Sequence, residues 1–268
     1  GTIDVDGLQT VDYDGKIVGG AANSLIKTGD GTLELKGPNS YTGDTTISNG
    51  TLKTSGSGTL DNATDVNVTS GANYTVGNAD TISVLDNEGT VNVNQDLTAS
   101  DITGGGGIAI ANSMTLTANN ANASIYTGDI SGDGGLKKTG AATLTLSGSS
   151  ANTYSGATNV DAGTLVLNKS AVTDAVSGAV NLNTGGTLEL DADNQIADTS
   201  QVNFDGGTFN LADQSETVGS IGDGGGVGGN ITLGSGALTA GDTTNTAFSG
   251  VISGTGSFTK TGTGELTL

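Results

Sequence analysis

Lys27-Thr-Gly-Asp-Gly-Thr-Leu33-Glu-Leu35-Lys-Gly37 runs on through Asn39, Tyr41, Gly43, Ile47 and Gly50 to Leu52. The same spelling returns as Lys138-Thr-Gly-Ala-Ala-Thr-Leu144-Thr-Leu146-Ser-Gly148, continuing through Asn152, Tyr154, Gly156, Val160 and Gly163 to Leu165. A third copy begins at Lys260-Thr-Gly-Thr-Gly-Glu-Leu266-Thr-Leu268. The lead-in repeats as well: Tyr126-Thr-Gly128-Asp-Ile130-Ser-Gly132 matches Phe248-Ser-Gly250-Val-Ile252-Ser-Gly254. A repeat of roughly 110–120 residues follows, with a two-residue insertion after Gly148.

Working outward, a shorter rhythm sits inside the long one. Gly-Thr-apolar recurs at Gly31-Thr-Leu33, Gly50-Thr-Leu52, Gly89-Thr-Val91, Gly163-Thr-Leu165, Gly186-Thr-Leu188 and Gly207-Thr-Phe209. After each Gly, aliphatic and polar residues alternate, as in Leu144-Thr-Leu146, which places the aliphatics on one face of a strand. Such a strand cannot bury its face alone. Stacking successive coils of roughly 22 residues does so, each strand hydrogen-bonding to the one above. The expectation is an all-β solenoid of about twelve coils, near 55–60 Å long at about 4.8 Å per coil, with residues 1–268 forming one segment.

Composition agrees with a narrow core. Of 268 residues, 47 are Gly and only 33% are hydrophobic, too few for one wide core. Disorder is disfavoured because Thr, Val and Ile are frequent and Pro38 is the single proline. The net charge of −20, with eight lysines and no arginine, excludes a nucleic-acid footprint. It also favours solubility. No stretch approaches the roughly 20 apolar residues of a membrane helix, so no membrane insertion by this segment is expected. The first residues lack the character of a signal peptide, and the last stop within a repeat, so a fragment of a longer chain is expected.

The pattern Lys-x-Gly-x-Gly-x-Leu-x-Leu-x-Gly, followed by Asn-x-Tyr-x-Gly-x-Thr-x-Ile-x-x-Gly-x-Leu, resembles the passenger-associated transport repeat of autotransporters, proteins of the type V secretion route. Residues 27–52 match almost throughout, and 138–165 match with Ala142 in place of the second Gly. A partial copy occupies 260–268. The resemblance implies a right-handed parallel β-helix at the surface of, or secreted by, a Gram-negative bacterium after export across the outer membrane. It also implies a signal sequence and a membrane β-barrel in the parent chain.

With no His and no Cys, a nucleophilic Ser lacks its usual base. Ser170 beside Lys169 is a formal pair, though a solvated turn is the plainer reading. Asp12 with Asp14, and Asp191 with Asp193, are paired carboxylates of the kind a glycosidase uses, but also of the kind an acidic surface or an Asx turn displays. Asp4, Asp6, Asp12 and Asp14 raise structural calcium, without a nonapeptide or EF-hand loop to support it. Gly104 to Gly107 and Gly222 to Gly226 read as wide turns or flexible loops.

Tyr41 and Tyr154 occupy equivalent places. They read either as contact platforms or as anchors with the ring on the coil and the hydroxyl towards water. Lys27, Lys138 and Lys260 are periodic and read as exposed partners of nearby acids. The reading is a non-catalytic adhesin or self-associating fibre segment. Its partners would be further copies of itself, or a host-cell or glycan surface met through the lateral faces. No catalytic, cofactor or metal residues are assigned. The alternatives are a passive scaffold displaying a catalytic domain, and a β-helical polysaccharide-degrading enzyme.

Overall fold

The computed structural model describes residues 1–170 and 174–268. Among them there is no helix, and every strand pairing within the sheets is parallel. The chain winds through about 13 turns, one more than the coil length of 22 residues predicts. The difference lies in the rungs, which are uneven. Ile3 stacks on Lys27, 24 residues on, whereas Ile82 stacks on Ala99, only 17 on.

Each coil has three walls, met in the same order along the chain. The first wall starts at Thr2–Asp4, Leu25–Thr28 and Thr45–Ile47, and ends at Val251–Ser253. The second starts at Thr10–Tyr13 and Thr32–Leu35 and ends at Ser257–Lys260. The third begins as isolated bridges at Val18, Ser40, Pro38 and Thr59, and later becomes the regular strands Thr158–Val160, Val180–Asn183 and Gln201–Asp205. Asp80–Asn87 and Leu97–Thr103 bend across the corner from the third wall to the first. With no loop at that corner, these are the shortest coils.

Period-two alternation builds the core as expected. Leu33, Leu52, Tyr74, Val91 and Ile108 stack in one file inside the second wall, and Leu144, Leu165, Leu188 and Phe209 inside the first. All are buried, and one continuous apolar cluster runs from Val5 to Phe248. Stacked aliphatic files are the solution open to a chain with so few aromatics, because each rung needs only a few short side chains to close its narrow interior.

The two glycine runs are tighter than the loops expected of them. Gly104 bridges to Tyr126, and Gly107 opens the strand Gly107–Ile110. Gly222 lies inside Ser220–Asp223 and is buried, leaving only Gly224 to Gly226 as an exposed bend. At Gly104 and Gly106 the carbonyl oxygens of Asn87 and Gly89 in the preceding coil would overlap a Cβ, too close for a side chain.

Candidate functional site

The repeated residues that looked superficial turn inward. Lys27 and Lys138 are both fully buried. Leu25-x-Lys27 and Leu136-x-Lys138 keep the alternation, so each lysine occupies a core-facing position. Lys27 Nζ donates to the carbonyls of Thr28 (2.6 Å), Gly29 (2.8 Å) and, one coil on, Asn49 (3.2 Å). Lys138 Nζ repeats this with Thr139 (2.6 Å), Gly140 (2.9 Å) and Ala162 (3.2 Å). The backbone turns back over the ammonium because Gly29 and Gly140 adopt φ of 74° and 73°, a region favouring glycine. Burial pulls both ammonium groups below the usual lysine pKa, Lys138 to about 8, although Asp4, Asp30 and Asp6 oppose it at Lys27. The reading of these two lysines as exposed partners of acids is therefore corrected. Lys260 alone is exposed, and its Nζ reaches the Thr261 carbonyl.

Asn39 and Asn152 are buried staples across three coils. Asn39 Oδ1 accepts from Ile17 N (3.0 Å) in the preceding coil, while its Nδ2 donates to Thr59 O (2.9 Å) in the next. Asn152 does the same between Ile130 N (2.8 Å) and Ala175 O (2.8 Å). Tyr41 and Tyr154 fill adjacent corners, fully buried, each hydroxyl 2.6 Å from the Oγ1 of Thr45 or Thr158. Burial raises the Tyr41 phenol to about 12 and pushes Tyr154 up as well. The hydroxyls do not point to water, and the rings are not contact platforms.

Ile17 and Ile130 identify a third lead-in that sequence reading passed over, Tyr13-Asp-Gly15-Lys-Ile17-Val-Gly19. In all three lead-ins the aromatic ring lies over the glycine two residues on: Tyr13 over Gly15, Tyr126 over Gly128 and Phe248 over Gly250. The three copies sit on different walls. Lys27 is on the first, Lys138 on the third and Lys260 on the second. The aromatics step likewise, from second to first to third. Each copy therefore advances by five coils and two walls, and three copies visit every face of the rod.

These two segments are also where the chain matches a known family. The family model for the Passenger-associated-transport-repeat matches residues 25–53 and 136–167. The chain carries two passenger-associated transport repeats. Such repeats are found in autotransporter passenger domains. They imply a secreted or cell-surface protein of a Gram-negative bacterium. Comparison with curated proteins and with solved structures found no match. The buried Lys, Asn and Tyr of each transport repeat thus form one polar cassette, with every hydrogen-bonding group turned to coil backbone or to Thr.

The remaining candidates stay apart. Lys169 is buried with Nζ on the Gly128 carbonyl (2.6 Å), while Ser170 is exposed. The solvated-turn reading is thus corrected for Lys169. Asp12 is half-exposed and takes Lys36 Nζ at 2.6 Å, and Asp14 is exposed. Asp191 accepts from Asn168 Nδ2 (2.7 Å) and Asp193 from Ser215 N (2.6 Å), with Asn194 left-handed at φ 52°, which makes that pair part of a turn. Among the described residues no group of three or more acidic side chains is placed to hold a metal ion.

Three acids that the sequence reading did not single out are buried: Asp80, Asp101 and Glu216. Asp80 accepts from Leu60 N and Thr81 N, both at 2.9 Å. Glu216 accepts from Gln195 N (2.7 Å), Ile196 N (3.2 Å) and Thr217 N (3.0 Å). Desolvation outweighs these donors and raises Asp80 to about 6 and Glu216 to about 7. The folded chain then holds protons that the unfolded chain has released. The stabilising contribution is complete below the unfolded carboxyl pKa values and is lost as pH rises through about 6 and 7. Urea unfolding should accordingly show a more stable chain at pH 5 than at pH 8, with on the order of 3 kcal/mol of that difference from Glu216. Glu216→Gln should flatten the pH dependence between those values. A slope that stays the same in this variant would assign the titration elsewhere.

Proposed function

We propose that this segment is the stiff β-solenoid stalk of an autotransporter passenger, with outer faces that make adhesive or self-associating contacts and perform no catalysis. One observation carries the reading. The buried polar residues of the two transport repeats are spent inside the rod, whereas the outer rows include in-register ladders of threonine. Thr143, Thr164, Thr187 and Thr208 stack in register on the first wall. Thr81, Thr98 and Thr117 do so on the third. Such faces suit many weak contacts acting together along a rod, where avidity multiplies them.

Self-association must overcome a net charge of −20 per copy. Salt shortens the reach of that repulsion, to about 8 Å at physiological ionic strength. Sedimentation velocity of the segment should therefore show oligomers that grow with protein concentration and with salt. A monomer at every salt concentration, together with no retention on cell surfaces, would leave the passive scaffold reading in its place.

A further inference from the structure

The third wall carries a recess that the core does not account for and that begins in the second transport repeat and extends past it. Its outward row runs Thr81, Thr98, Thr117, Lys137, Asn159, Asn181, Asn203 and ends at Gly222, each residue in register with the next. In a chain with 28 acids, this row contains none. The three asparagines are locked amide to amide. Asn181 Nδ2 donates to Asn159 Oδ1 (2.8 Å), and Asn203 Nδ2 donates to Asn181 Oδ1 (3.0 Å). A second row runs beside it. Asp161 is held by Lys137 Nζ (2.7 Å) and by Asn183 Nδ2 (2.6 Å), and Asn183 stacks on Asp205. On the next coil both rows lose their side chains, at Gly222 and Gly224. The result is a recess of about 210 Å³ lined by Asn159, Asn181, Asn183, Asn203, Asp205 and Gly224.

We propose that this recess binds a neutral oligosaccharide lying along the rod axis. The ladder uses one hydrogen of each upper amide and the oxygen of the amide below. It leaves outward N–H groups on all three asparagines, and Asn203 Oδ1 and the exposed Asp205 carboxylate as acceptors. Among the described residues, no hydrogen bond reaches that carboxylate. Fixed donors on three successive rungs, with acceptors at the last of them, suit vicinal hydroxyls, each of which both donates and accepts. An anionic glycan would meet Asp205 and the overall negative charge. The donor set at every rung repeats at about 4.8 Å, close to the length of one sugar unit, so successive sugars meet equivalent amides.

The proposal rests on the adhesive reading and names a ligand class for one face of the stalk. The test is calorimetric titration of the whole segment with neutral gluco-, manno- and galacto-oligosaccharides of two to six units, beside an acidic uronate series. At least one neutral series should bind, tighter with length up to about three or four units, matching the three amide rungs. The uronates should not bind. Asn181→Ala should weaken binding about tenfold or more, since it removes the rung bonded on both sides. Asn159→Asp, which keeps the shape and turns a donor into an acceptor, should weaken it as well. Thr145→Ala, on the first wall, should leave it unchanged, with all melting curves recorded as controls.

No binding by any neutral series, or binding untouched by both asparagine variants, overturns the recess. Sedimentation of the same samples separates the two readings. Self-association without sugar binding removes only the recess, and the absence of both, together with no retention on cell surfaces, removes the adhesive stalk with it.

Discussion

Lys138→Met should destabilise the chain by about 3 kcal/mol in urea unfolding, although methionine keeps most of the buried stem. The lost group is an ammonium shared by the carbonyls of Thr139, Gly140 and Ala162. Hydrogen bonds to a charged donor contribute about 1.5–3 kcal/mol each, and a buried carbonyl left unpaired costs further free energy. Neutralising the lysine also relieves its desolvation, which lowers its pKa to about 8 and offsets part of the loss. The net expectation is therefore one large interaction and not three. Because coils contact only their neighbours, the damage should be local. Amide exchange should rise around residues 136–163 and stay unchanged near Lys27. An unchanged unfolding curve would mean that the charge contributes nothing, and the cassette would then be only a space-filler.

Gly128→Ala should be at least as damaging, by about 3 kcal/mol or more, for a reason that involves no lost interaction. A methyl group at Gly128 would overlap the Gly106 carbonyl oxygen of the coil before, and would lie 2.6 Å from Tyr126 Oη and 2.8 Å from its ring. The spacing of parallel rungs is set by their hydrogen bonds, so the coils cannot part locally without breaking ladder bonds on either side. The Tyr126 hydroxyl, which donates to the same Gly106 carbonyl, blocks the remaining direction. Gly107→Ala is the matched control. The nearest atoms to its added methyl are the Asp129 carboxylate oxygens at 3.8 Å and 3.9 Å. Thermal unfolding of the two variants should differ widely, and equal midpoints would show that coil contact at Gly128 is not the constraint.

Much of the core was legible because its signal is local. Leu33-Glu-Leu35 and Leu188-Glu-Leu190 announce strands with one apolar face, and the Gly-Thr pairs before them announce corners. The same alternation also marked the buried polar groups. In Leu136-x-Lys138, Leu165-x-Leu167-x-Lys169 and Glu216-x-Val218 the charged residue holds a core position. It was passed over because burying a lysine or glutamate costs free energy unless its partners are in place. Those partners are backbone groups of the same corner and of neighbouring coils, such as Ala162 O for Lys138 and Gln195 N for Glu216. Sequence spacing does not display them.

The amino-acid sequence by itself determined the all-β class, the stacked coils, the long repeat and the transport-repeat cassettes, because each depends on residues close together in the chain. The tertiary structure decided which wall each cassette occupies. Lys27, Lys138 and Lys260 share one spelling and stand on three different faces. That rotation depends on the summed lengths of the intervening coils, whose rungs advance by anything from 17 to 24 residues. A corner without a loop, as at Asp80–Asn87, changes the sum without any local mark. The physical reason is that each strand is placed by hydrogen bonds to the coil beside it. Position around the rod is therefore a property of the stack and of no single segment.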